Sequence, residues 1–126
     1  MKVFVYYNLH KKCFSIKALT GEQKGRVIAH ADAVVLNDVE FKVSESGRQR
    51  VLKERRKNVH AGVAGVLVSF SILNGEGLSS KFNEYTQLST LVTYDPYKYN
   101  TFVNKKTLEP ILNATRAYLI DKKVFI

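Results

Sequence analysis

Only one stretch of this chain reads as a helix, and it divides a long series of strand-like runs into two groups. Ser44 to Asn58, SESGRQRVLKERRKN, opens on a good N-cap in Ser44 and sets Glu45 at the positive end of the helix dipole. Its cations crowd the C-terminal half, where they are favoured. Only Val51 and Leu52 can anchor it to a core, so its apolar stripe is thin. The stretch holds six basic residues against two acidic ones, a net +4 of the chain's formal +9. Most of its circumference is therefore wet and positive, either as a solvated face or as a surface that meets an anion.

The flanking runs are β-like. Lys2 to Asn8 and Cys13 to Leu19 form a hairpin across Asn8-Leu9-His10-Lys11-Lys12, with the run VFVYY apolar on both faces. Thr20 to Gly25 is a turn. Arg26 to His30, Val34 to Leu36 and Val39 to Val43 are short strands, the last two joined by a tight turn at Asn37-Asp38. In the last of them Val39, Phe41 and Val43 face inward while Glu40 and Lys42 face out. After the helix, His60 to Leu73 is a strand that starts with a bend or bulge, since a glycine inside a strand, here Gly62 and Gly65, marks one or a close backbone approach. Asn74 to Ser80 is a loop, and Tyr85 to Tyr94 a strand broken by Asp95-Pro96. Thr101 to Val103, Thr115 to Ile120 and Lys123 to Ile126 complete the set. The expected fold class is α+β: a β-dominated antiparallel sheet domain with one principal basic helix, and a single domain over residues 1–126. So many short strands leave edges, which self-association commonly covers.

The single Cys13 excludes an internal disulfide and any cysteine-based zinc cluster. The apolar run near Met1 is too short for a signal peptide and no stretch has the length of a bilayer span, so no membrane association is expected and the protein is read as cytoplasmic. A pI near 9.7 favours a polyanionic partner. His10, His30 and His60 have no metal-ligand spacing and no catalytic motif is present. No metal, cofactor or catalytic residue is therefore assigned, although a His pair could in principle cleave a phosphodiester.

Binding is better supported. The segment YDPYKYNTF gathers Tyr94, Tyr97, Tyr99 and Phe102 with Lys98 and Asn100 around a proline turn, which suits base stacking beside a phosphate or, equally, a packed tyrosine turn. Strand alternation puts Arg116 on one face with Ala114, Tyr118 and Ile120, where a guanidinium wants a bidentate anion; Arg26, after Gly25, is of the same kind. Turns at Gly62 and Gly65 would bring backbone N–H groups near Arg55, Arg56, Lys57, Asn58 and His60, a second anion site.

The block GRVIAHADAVVLNDVEFKVSESGRQRVLKERRKNVHAGVAG, followed by YDPYKYNTF, resembles small phage-encoded proteins and is similar to the Thoeris anti-defence sponge family. The resemblance implies a non-enzymatic phage anti-defence protein, acting in the host bacterial cytoplasm. Such a protein sequesters a cyclic ADP-ribose isomer without cleaving it, and is a homo-oligomer built from dimers with a separate cyclic-oligonucleotide site. Carried onto this chain, Arg26, Asn100, Phe102 and Arg116 fall in the first pocket, which the tyrosine turn extends to Tyr94 and Tyr97. Arg55, Arg56, Lys57 and Asn58 fall in the second. Three other readings compete: a nucleic-acid-binding protein presenting the 44–58 helix with steeply salt-dependent affinity, a protein-directed inhibitor with an acidic target, and a phosphodiesterase using His10, His30 or His60.

Overall fold

The computed structural model describes residues 1–72 and 90–126, and in them one antiparallel sheet of nine strands carries a single helix. The strands are β1 Lys2–Asn8, β2 Cys13–Ala18, β3 Val27–Ala31, β4 Ala33–Val43, β5 Ala61–Ser71, β6 Leu91–Thr93, β7 Val103–Asn104, β8 Asn113–Ile120 and β9 Lys123–Phe125. The helix α1 is Glu45–Glu54. In the sheet they lie in the order β3-β2-β1-β5-β4-β8-β9-β6-β7. The β-dominated antiparallel architecture read from the sequence is the one observed.

Period-two alternation builds the core. Val3 and Val5 of β1, Ile16 of β2, Leu36 and Val39 of β4, Val63 of β5 and Leu119 of β8 are all at most 1% exposed. They share one cluster with Val92, Phe102 and Val124 from the far end of the sheet. A flat sheet would hold these ends apart, so the sheet coils until β1 and β2 face β6 and β9 across a common interior. A smaller cluster of Ala33, Tyr118, Ile120 and Phe125 lies apart from it.

Several local expectations are corrected. The helix ends at Arg55 rather than Asn58: Arg55 adopts the left-handed conformation (φ 53°) and its N–H donates to the Val51 carbonyl, and 55–60 then runs extended to β5. Asn37-Asp38 is no turn. It lies inside the continuous strand β4, where Asp38 (φ 50°) sits at a register shift against β5. Gly62 pairs regularly with Lys42, whereas Gly65 pairs with Val3 on one side and falls at the β4–β5 register shift on the other, the bulge expected of a glycine in this run; at both, the lack of a side chain serves close approach. A Cβ on Gly62 would stand 2.5 Å from the Val5 carbonyl oxygen and 2.5 Å from the Phe4 ring, and one on Gly65 2.8 Å from the Asn37 carbonyl oxygen. The strand expected over Tyr85 to Tyr94 is confined to Leu91–Thr93 in the described part; residues 85–89 and the loop placed at 74–80 lie outside the described residues.

Ser44 caps α1 as expected, its Oγ accepting from the Gly47 N–H at 3.2 Å, and Val51 is the buried anchor. The second anchor is Arg48, one of the six cations of the stretch. Its Nε donates to the carbonyls of Pro96 and Tyr99, both at 3.0 Å, and it pairs with Glu45 at 3.1 Å. Arg48→Ala is expected to cost about 2 kcal/mol in urea unfolding, because two turn carbonyls lose a charged donor; Arg50→Ala, on an exposed residue, should cost far less.

Candidate functional site

The two groups of residues predicted to bind ligand fall into different places, and the first group is dispersed. Arg26 is exposed before the edge strand β3, five strand positions from Arg116 on β8. Arg116 is not enclosed by apolar neighbours: it is exposed, and its Nε donates to Asn37 Oδ1 at 3.1 Å. Tyr97 and Asn100 are exposed on the 95–100 turn, which Asp95 holds by accepting from the Tyr97 N–H at 2.9 Å. Phe102 is core, 8% exposed, its ring 5.1 Å from Phe41 and 5.3 Å from Tyr94.

Tyr94 is tied inward as well. The Asn58 carbonyl can only accept, so the 2.8 Å bond to it puts the proton of a neutral His60 on Nδ1. Nε2 then accepts the Tyr94 hydroxyl at 2.6 Å. Burial pushes the Tyr94 phenol up to about 12. An unfolded tyrosine ionises near pH 10, so this contribution to stability is complete below pH 10 and is lost as the pH rises through about 12. Tyr94→Phe should therefore lose less stability than the wild type between pH 10 and 12 in paired urea titrations.

Tyr94 and Phe102 instead border an interior cleft of about 520 Å³ at the seam between β1–β2 and β6–β9, together with Tyr7, Lys105, Lys122 and Lys123. His60, expected in the second anion site, is instead bonded to Tyr94.

The rest of that second group meets a groove of about 560 Å³ on the outer face of the β1–β2 hairpin. Val3 and Val5 point into the core, so alternation turns Phe4 and Tyr6 outward. Their rings lie 6.0 Å apart, tilted by 32°, and the bare Gly62 makes room for Phe4. The hairpin register sets Lys17 opposite Phe4. Lys57 and Asn58, leaving the helix in the extended 55–60 segment, line the other wall, with His10 at the hairpin end. Arg55 and Arg56 are exposed just upstream. Asn8 is not available to a ligand, since it donates to Ser15 Oγ at 3.1 Å and accepts from the N–H groups of His10 and Lys11 at 3.0 Å. Among the described residues the ion pairs are Glu40 with Lys42 and Glu45 with Arg48, and the half-buried Lys17 has none.

Sequence reasoning found Lys57 and Asn58 but missed Phe4, Tyr6 and Lys17. The signal for them was present. Alternation in VFVYY sends Phe4 and Tyr6 to one face, and a hairpin closed over Leu9–Lys12 puts Lys17 across from Phe4.

A family model described as Mycobacterium phage L5 gene 82 protein matches residues 1–126. The gene 82 protein of Mycobacterium phage L5 is 40% identical over 130 aligned residues, covering 98% of this chain and 94% of that protein. No solved structure matches.

Proposed function

The chain belongs to the family of the Mycobacterium phage L5 gene 82 protein, and from that premise we propose that it is a non-enzymatic binding protein that holds a nucleotide-class anion in the outer groove. The observation that carries the reading is Lys17, a half-buried cation with no carboxylate partner among the described residues, set beside the outward rings of Phe4 and Tyr6 and across from Lys57 and Asn58. A lysine ammonium makes stronger hydrogen bonds to a phosphate oxygen than neutral donors do. An aromatic pair offers a stacking surface for a base or nicotinamide ring, and the Asn58 amide offers both donor and acceptor to a base edge.

Cyclic ADP-ribose isomers and cyclic oligonucleotides combine these features, and sequestering one of them would make this a phage anti-defence sponge. Capture needs no general base, and His10 at the hairpin end is the residue that would matter if the ligand were instead cleaved. The direct test is to mix the protein with both ligand classes, remove what is unbound, heat-denature and identify what is released by mass spectrometry. Intact ligand supports the reading, and altered ligand would make the protein an enzyme. No release from any member of the panel would overturn it.

A second reading rests on a different observation. Arg50, Lys53, Arg55, Arg56 and Lys57 are all exposed on or just after α1, a surface that would follow a nucleic-acid backbone. Affinity for DNA or RNA that falls steeply with salt, unaffected by Lys17→Glu, would favour that reading.

A further inference from the structure

The interior cleft differs in character from the groove. It is a half-open recess of about 520 Å³ with core side chains, among them Phe14, Val63 and Val124, at its base and Tyr7, Leu91 and Tyr94 along its sides. Its volume falls in the range of small-molecule pockets. Lys105, Lys122 and Lys123 stand at its lining and have no ion pair among the described residues. An apolar chamber with cations on its border complements a molecule with an apolar body and a negative end.

The backbone gives independent reason to single out Lys122. β8 and β9 are joined by Asp121 and Lys122 alone, both in the left-handed region with φ 52° and 62°. A two-residue hairpin turn of this kind favours Asn or Asp first and Gly second. Asp121 fits that rule and Lys122 breaks it, taking a conformation that glycine adopts without steric cost. The strained position carries the ammonium to 5.3 Å from the centroid of the Tyr7 ring, which itself lines the cleft. Backbone strain at a residue that sets a charge over a ring at the border of a cavity is the pattern of a binding position.

We propose that the cleft binds a small organic anion with an apolar body, an aliphatic or aromatic carboxylate or sulfonate, with Lys122 meeting the charged end and Tyr7, Leu91 and Tyr94 flanking the rest. This site is separate from the groove and takes a different class of ligand. The full chain would be titrated with anilinonaphthalene sulfonate as a fluorescent probe, in buffer of moderate ionic strength, and decanoate added to displace it. Saturable binding of one probe per chain, displaced by decanoate, is expected. Lys122→Gly should weaken it at least tenfold while the melting temperature stays the same or rises, since the turn then has the residue it prefers. Lys105→Gln, which leaves the turn intact, should also weaken it, and Lys17→Glu should leave it unchanged. The proposal is overturned by the absence of saturable binding, by wild-type affinity in Lys122→Gly or Lys105→Gln, by a lowered melting temperature in Lys122→Gly, or by an equal loss in Lys17→Glu.

Discussion

Gly62→Ala is expected to destabilise the protein by about 3 kcal/mol, the upper end of what an added methyl costs in a filled site. The new Cβ would meet the Val5 carbonyl oxygen and the Phe4 ring, both at 2.5 Å. The ring can swing away at modest cost. The carbonyl cannot, because it belongs to β1, which pairs with β2 on one side and β5 on the other. Urea unfolding of Gly62→Ala and of the double variant Gly62→Ala/Phe4→Ala separates the two contacts: removing the ring should recover only part of the loss. A Gly62→Ala protein within about 0.5 kcal/mol of wild type would mean that β1 and β5 do not approach as closely as described. The same substitution tests the groove, since a displaced Phe4 takes away half of its aromatic floor.

The second large effect is on binding. Lys17→Glu should reduce capture of a nucleotide-class ligand at least ~100-fold, about 2.7 kcal/mol, because it both removes the cation and presents a carboxylate to the ligand's negative charge. Lys57→Glu should cost less, roughly tenfold, since an exposed charge is screened by solvent and salt. Far-ultraviolet circular dichroism of both variants should match wild type. Retention of ligand by Lys17→Glu would remove the groove from consideration, and a larger effect at Lys57 than at Lys17 would shift attention to the exposed cations Arg55 and Arg56.

What could be read from the sequence was what short-range chemistry decides. The β1–β2 hairpin, the inward row Val39 and Phe41, and the Ser44 cap each depend on residues a few positions apart, and each stands in the structure. The misreadings have a common cause: one residue type serves two backbone outcomes. Asn37-Asp38 has turn chemistry, but an aspartate that tolerates the left-handed region suits a bulge as well as a turn. ERRKN contains no Gly or Pro to mark a helix end, yet Arg55 takes the left-handed cap usually given to Gly or Asn. Arg116 was assigned to an apolar face because alternation fixes which way a side chain points but not how far the cover over that face extends. For the site, the β1–β2 register was readable and brings Phe4 to Lys17. The arrival of Lys57 and Asn58 was not, since it depends on how the 55–60 segment crosses the sheet.

The strand order also bears on how the chain reaches this structure. The two ladders that flank the β4–β5 pair join distant parts of the sequence: β1 to β5 pairs Val5 with Val63, and β4 to β8 pairs Val35 with Tyr118. Folding dominated by such pairings is slow, on the order of milliseconds to seconds, because loop closure precedes any reward from contact. The hairpin and α1 can form early, but Val34 and Leu36 stay half-partnered until residues 113–120 have left the ribosome. The yield of folded protein in a producing cell would then be set by competition between that delay and aggregation of the waiting strands.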